Sequence, residues 1–136
     1  MHQKFTLHDR LKADTLKVTR LKLCQVLLMN DQNYPWFILV PERADITEIH
    51  HLAPSDQLQL MSEINTVSQA VEKTFTPNKI NVAALGNMVS QLHIHITARY
   101  HSDPAWPNPI WGHIPAVPYS SDAGKTRIKS FLSNLR

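Results

Sequence analysis

Hydrophobic and polar positions change period several times along the chain, and each change marks an element. In residues 6–16 (T-L-H-D-R-L-K-A-D-T-L) Leu7, Leu11 and Leu16 share one side of a short helix, with Thr6 as its cap and Asp9 in its first turn. From Thr19 to Leu23 apolar and polar residues alternate, and the run is then apolar to Met29 apart from Gln25. That pattern predicts one or two strands ending at Asn30. The polar turn Asn30-Asp31-Gln32-Asn33, followed by Tyr34-Pro35, leads into a strand over Trp36–Val40 that Pro41 stops. The two strands form a hairpin with the polar loop at one end. Residues Ile46 to Leu52, which include His50 and His51, read as extended.

Pro54-Ser55 then opens the longest helix, with Ser55 as its N-cap, and it runs to about Lys73. Leu58, Met61, Ile64, Val67, Val71 and Phe75 give it an apolar stripe. Thr76-Pro77 ends it, because a residue before proline is pushed out of the α region. Lys79 to Leu85 reads as a strand, Gly86-Asn87 as a turn, and Gln91 to Tyr100 as the strand that returns antiparallel to it. Residues 101–121 hold five of the nine prolines and two of the three tryptophans, with no regular period. From Ser121 to Arg136, Ile128, Phe131, Leu132 and Leu135 recur at helical spacing opposite Lys125, Arg127 and Lys129.

The sum is an α+β fold: an antiparallel sheet of about five strands, one main helix, a short N-terminal helix and a C-terminal amphipathic helix. Length predicts a single domain over residues 1–136, with its core in about 20–100 and the Pro/Trp-rich segment and terminal helix after it. The stripe of the main helix needs a sheet face to cover. Leu92, Ile94 and Ile96 offer one, since successive strand side chains point to opposite faces.

The other face of that strand carries Gln91, His93 and His95 in a row, with the imidazoles roughly 7 Å apart along one wall. Three readings of this face stay open from the residues alone. It is an exposed strand face without further meaning; or two thirds of a metal site completed by His50, His51, His101 or an acid; or a nucleophilic imidazole oriented by its neighbours. Only three glycines are present, which argues against a metal-binding cupin-like barrel. Imidazole is largely neutral near pH 7 yet basic enough to attack phosphorus. A backbone carbonyl beside the strand would hold one ring proton and leave the other nitrogen free. Backbone N–H groups around Gly86 to Val89 would add donors to a bound phosphate.

Charge narrows the ligands. A net charge of +3 and a pI of about 9.2 suit small phosphorylated molecules and fall short of a nucleic-acid footprint. Cys24 is the single cysteine, so no internal disulfide is expected and it reads as a small core residue. The first ten residues lack the apolar region of a signal peptide, and no apolar run approaches a membrane span. A cytoplasmic protein with no membrane partner is the expectation.

The segment Asn87-x-x-x-Gln91-φ-His93-φ-His95-φ, with φ apolar, resembles the histidine triad signature His-φ-His-φ-His-φ-φ. Upstream, a hairpin turn at Asn30-Asp31, the strand Trp36-Phe37-Ile38-Leu39-Val40-Pro41, a capped helix and a strand carrying Asn81 follow in the family's order, so the likeness covers about residues 20–100. The tail Trp106-Pro107-Asn108-Pro109-Ile110-Trp111-Gly112 looks like that of a bacterial branch described as diadenosine-polyphosphate hydrolases. The resemblance implies a HIT-like fold and hydrolysis or transfer of nucleotidyl groups. His93 would attack the α-phosphorus to form a nucleotidyl-histidine, His95 would contact the phosphate, and partial protonation of His95 would offset phosphate charge. Asn30 or Asp31 would meet the ribose hydroxyls, and Asn81 and Asn87 would supply amide donors. A nucleotide substrate, a homodimer, no cofactor and no catalytic metal are also implied.

Three positions depart from the pattern, and the hairpin loop is about two residues short, so Asn30 and Asp31 align loosely. Gln91 replaces the first histidine and can orient through its amide without titrating. Met88 stands where many members carry Ser or Thr near the leaving oxygen, and Trp36 replaces a histidine common in the second strand. Two alternatives to the enzyme follow: a nucleotide-binding module of the same fold without turnover, and a metal-binding protein. Trp106 and Trp111 either pack the irregular segment onto the sheet or line a substrate pocket, where aromatic surface is enriched.

Overall fold

A computed structural model describes residues 4–136. Five strands form one sheet: β1 (Thr15–Arg20), β2 (Cys24–Met29), β3 (Trp36–Pro41), β4 (Lys79–Ala83) and β5 (Ile94–Arg99). Their order is β1-β2-β3-β5-β4, and every neighbouring pair is antiparallel. Helices α1 (Asp9–Asp14), α2 (Pro54–Phe75) and α3 (Ser121–Leu132) complete the α+β architecture.

The stretch predicted as one or two strands ending at Asn30 is two, β1 and β2, with β1 starting at Thr15 inside the segment expected to be helical, and a turn between them in which Leu21 N–H donates to Cys24 O at 2.8 Å. Both N–H groups next to that turn end on Glu63 of α2. Leu23 N donates to Oε2 at 2.8 Å and Cys24 N to Oε1 at 2.9 Å. Glu63 is buried and has no place in an apolar stripe, yet it is what stitches α2 to the start of β2.

The face of α2 differs from the expected stripe. Leu60, Glu63, Ile64, Val67, Ala70 and Val71 are buried, whereas Leu58 and Met61 are 76% and 56% exposed. The reason is angular: at about 100° per residue, Leu58 and Val67 lie half a turn apart, so steps of three drift off the face. The expected cap is also displaced. Ala53 is the N-cap, Pro54 occupies the first turn, and Ser55 lies inside the helix. Proline fits there because its missing N–H has no helical partner to lose. The segment expected to be extended from Ile46 to Leu52 contains a single 3-10 turn, Ile49–His51. Helix α1 is shorter than expected and is capped by His8, whose Nδ1 accepts from Arg10 N at 3.1 Å, not by Thr6.

Both faces of the sheet are covered. On one, α2 and α3 pack over Val26, Leu28, Phe37, Leu39, Ile94 and Ile96, with Phe131 stacked on Phe37 at 4.2 Å between ring centroids. On the other, Leu27, Trp36, Ile38 and Val40 meet Leu11 from α1 and Ala105 and Ile110 from the proline-rich segment. That segment is organised by one buried ion pair. Arg99 Nε lies 2.8 Å from Asp103 Oδ2, with both side chains at most 3% exposed. Arg99 also donates to Asn81 Oδ1 and to Asn108 O, and Asp103 accepts the N–H groups of Tyr100, Ala105 and Trp106. The irregular stretch is thus a lid on the sheet, and the strand face expected to look outward is roofed.

Candidate active site

The roofed face holds the two histidines. In the β3–β5 ladder Ile38 pairs with His95, so Trp36, two residues back on the same face, is the diagonal neighbour of His95. The indole can only donate. Trp36 Nε1 donates to His95 Nδ1 at 2.9 Å, which fixes the neutral tautomer with its proton on Nε2. Burial pushes the His95 pKa down to about 3, with the neighbouring His93 adding to the shift. His95 is therefore a neutral N–H donor. The expectation that it carries part of a positive charge is corrected by the indole above it and by the loss of water around it.

His93 precedes β5 by one residue, and its Nδ1 lies 2.7 Å from Gln91 O. A carbonyl only accepts, so Nδ1 holds a proton, and in the neutral ring Nε2 is the nitrogen with the free lone pair. The two imidazoles converge to 4.9 Å between ring centroids at 70°. Trp111 meets His95 edge-on at 5.3 Å.

His93 and His95 line a cleft of about 510 Å³ whose walls are largely apolar, from Leu11, Met29, Trp36, Met88 and Trp111. Asn87 lines it as well. The other expected residues are engaged elsewhere. Gln91 turns its side chain to the N-terminal segment: Nε2 donates to Thr6 O and Oε1 accepts from His8 N, both at 2.9 Å. It is the Gln91 carbonyl, and not its amide, that orients His93. Asn30 Oδ1 accepts from Tyr119 N at 2.9 Å. Asp31 is buried, and its Oδ1 accepts from Asn33 and from Val117 N. Both therefore tie the C-terminal segment to the hairpin turn. Asn81 Oδ1 accepts from Arg99 at 2.7 Å.

Of the two tryptophans in the irregular segment, Trp111 lines the cleft, while Trp106 lies under the Arg99 guanidinium at 5.6 Å. Sequence reasoning missed Arg10, Leu11 and Asp14, which α1 brings to the cleft from far along the chain. No local pattern signals them. Trp36 was visible as a departure in the second strand, and the β3–β5 register is what turns it into a partner for His95. Among the described residues no three His, Cys, Asp or Glu side chains are grouped to hold a metal ion, and His50, His51 and His101 complete no such group with His93 and His95.

A HIT domain family model matches residues 10–102, which include both histidines and every strand. The chain belongs to the HIT domain family. Solved structures agree. A histidine triad (HIT) protein of Sinorhizobium meliloti is 46% identical with a TM-score of 0.95, over 96% of this chain and 97% of its own. A histidine triad protein of Marinobacter aquaeolei is 46% identical with a TM-score of 0.95, over 98% and 97%. One from Bradyrhizobium japonicum is 42% identical with a TM-score of 0.96, over 98% and 100%. No curated protein matches the sequence. HIT proteins generally bind nucleotides and often act as nucleotide hydrolases or transferases. Among the described residues of this HIT protein, no helix is long and apolar enough to cross a membrane.

Proposed function

We propose that this HIT protein cleaves nucleotides at the α-phosphorus through a covalent nucleotidyl-histidine on His93. The observation that carries the reading is the 2.7 Å contact between His93 Nδ1 and Gln91 O, which makes Nε2 the lone-pair nitrogen of the neutral ring in the cleft. In the first step Nε2 bonds to phosphorus, the bond to the bridging atom breaks, and its electron pair leaves with the departing group. The imidazole then carries a positive charge, and the Gln91 carbonyl facing Nδ1–H stabilises it. His95 Nε2–H donates to a non-bridging oxygen, and Asn87 supplies an amide donor beside it. In the second step water attacks phosphorus and the P–N bond breaks with its pair returning to Nε2. One proton passes to solvent, and a nucleoside monophosphate departs.

The leaving group follows from the same geometry. A His95 held neutral down to about pH 3 is a poor acid, and Met88 offers no hydroxyl. A phosphoanhydride leaves without a proton, whereas an amine does not. The substrate class is therefore a nucleoside polyphosphate of the dinucleoside polyphosphate type, and a phosphoramidate is the poorer substrate. The Trp106–Gly112 tail supports the diadenosine-polyphosphate branch on the same side. Asn30, Asp31 and Asn81 serve by holding the C-terminal segment and Arg99, which in turn carry Trp111 to the cleft. A homodimer joined at edge strand β4 fits Val82, which is 49% exposed there.

Incubation with an α-³²P-labelled dinucleoside polyphosphate and a denaturing quench tests the reading. A protein-bound label that survives base, is lost in acid and is absent from His93→Ala is expected. Tight binding of adenosine monophosphate with neither label nor turnover would replace the enzyme by a nucleotide-binding module, the reading that Gln91 and Met88 favour.

A further inference from the structure

A polyphosphate brings several negative charges into a cleft whose two histidines are a neutral donor and a nucleophile with a free lone pair. Something else must offset that charge. Among the described residues lining the cleft, Arg10 is the one side chain with a permanent positive charge. Its guanidinium is lightly held: Nε lies 3.5 Å from Asp14 Oδ2, and the two side chains are 54% and 50% exposed. Exposed pairs of this kind contribute little and exchange readily.

The backbone under Arg10 is, by contrast, firmly placed. Leu11 is buried in the core beneath the histidine face. His8 caps the helix through Arg10 N–H. Gln91 grips the residues before it twice, at Thr6 O and His8 N, across more than eighty positions of sequence. A histidine at position 91 would have to reproduce a donor and an acceptor spaced for two neighbouring backbone groups. A carboxamide offers both on one planar group.

We propose that Arg10 binds the phosphates beyond the α-phosphorus, and that Gln91 is the positioning residue that clamps α1 beside the catalytic strand so that Arg10 faces the cleft. The inference rests on the nucleotide reading above and extends it to specificity. On binding, the planar guanidinium leaves Asp14 and takes two phosphate oxygens, a geometry it matches better than any other side chain. Asp14 opposes the ligand by like charge. The departure from the triad signature at position 91 thus gains a role that titration would not serve.

Calorimetry with adenosine monophosphate and with the α,β-methylene analogue of adenosine triphosphate tests this, since the analogue resists cleavage at the α-phosphorus. Arg10→Gln is expected to weaken the triphosphate analogue by roughly ten- to a hundredfold, the range for one lost charge-assisted contact, and to move the monophosphate by less than twofold. Asp14→Asn is expected to tighten the analogue several-fold. Gln91→Leu is expected to weaken it and to speed hydrogen exchange at the His8 amide. An Arg10→Gln protein that binds the analogue within twofold of wild type, or that loses both ligands equally, overturns the proposal. If the wild type shows His93-dependent turnover in that case, the function stands and only the role of Arg10 falls. If the wild type binds neither nucleotide, the function and this inference fall together.

Discussion

His95 makes the stability of this protein sensitive to acid, by an amount its surroundings set. The ring is buried, accepts from Trp36 Nε1, and holds a pKa of about 3, against 6.5 in an unfolded chain. Because the folded value is the lower one, the unfolded chain binds the proton first. Stability is therefore full above about pH 6.5 and falls as the pH drops towards 3. Between pH 8 and pH 5 the unfolded state gains about 2 kcal/mol from protonating this one group, while the folded state gains almost nothing. For a chain of 136 residues that corresponds to a fall in Tm of about 7 °C. Other histidines add slopes of their own, so the informative quantity is a difference. In His95→Asn the side-chain oxygen takes the place of Nδ1, keeps the bond from Trp36 and does not titrate. Urea unfolding of both proteins at fixed concentration, at pH 8 and pH 5, should show the wild type losing about 2 kcal/mol more than the variant. Equal losses would refute the account of His95 as a ring buried neutral under an indole donor.

Three further outcomes follow. Trp36→Phe leaves the Nδ1 of His95 without a donor, so the proton is free to move there and withdraw the Nε2–H; steady-state kinetics on a dinucleoside polyphosphate should show kcat lowered about tenfold, and an unchanged kcat would remove the tautomer argument. Arg99→Met strands Asp103 in the interior and should cost about 3–5 kcal/mol in denaturant unfolding; a loss under about 1 kcal/mol would mean that the pair does not hold the proline-rich lid. Glu63→Ala orphans the N–H groups of Leu23 and Cys24 and should cost about 3 kcal/mol, with hydrogen exchange rising first at those two amides; uniform exchange changes would count against a local tie between α2 and β2.

Much of this molecule is legible along the chain, for a physical reason. Alternation and apolar runs are properties of neighbouring residues, so the hairpin of β2 and β3, the long helix, β4 and β5 and the terminal helix all announce themselves locally. So does the His93-x-His95 pair, because a period of two keeps both rings on one side of extended chain, although the strand expected from Gln91 begins only at Ile94. Helix edges are less legible: Ser55 is as good a cap by type as the residue that serves, and only the path of the chain into α2 selects Ala53 and Pro54. The buried face of α2 is less legible still, since Leu58 is apolar and exposed while Glu63 is charged and buried. That choice depends on where β2 begins.

What tertiary structure alone decides is the chemistry of the site. The sequence by itself places two imidazoles side by side. It does not say that an indole from β3 lies over one of them, since that needs the register pairing Ile38 with His95. Nor does it say that a carbonyl two residues back holds the proton of the other. Residue types at a spacing determine which groups are available on a face. Protonation state, tautomer and charge are set by burial and by partners that are distant in sequence, and Trp36, Arg10 and Trp111 reach this cleft only when the sheet, the first helix and the proline-rich lid close around it.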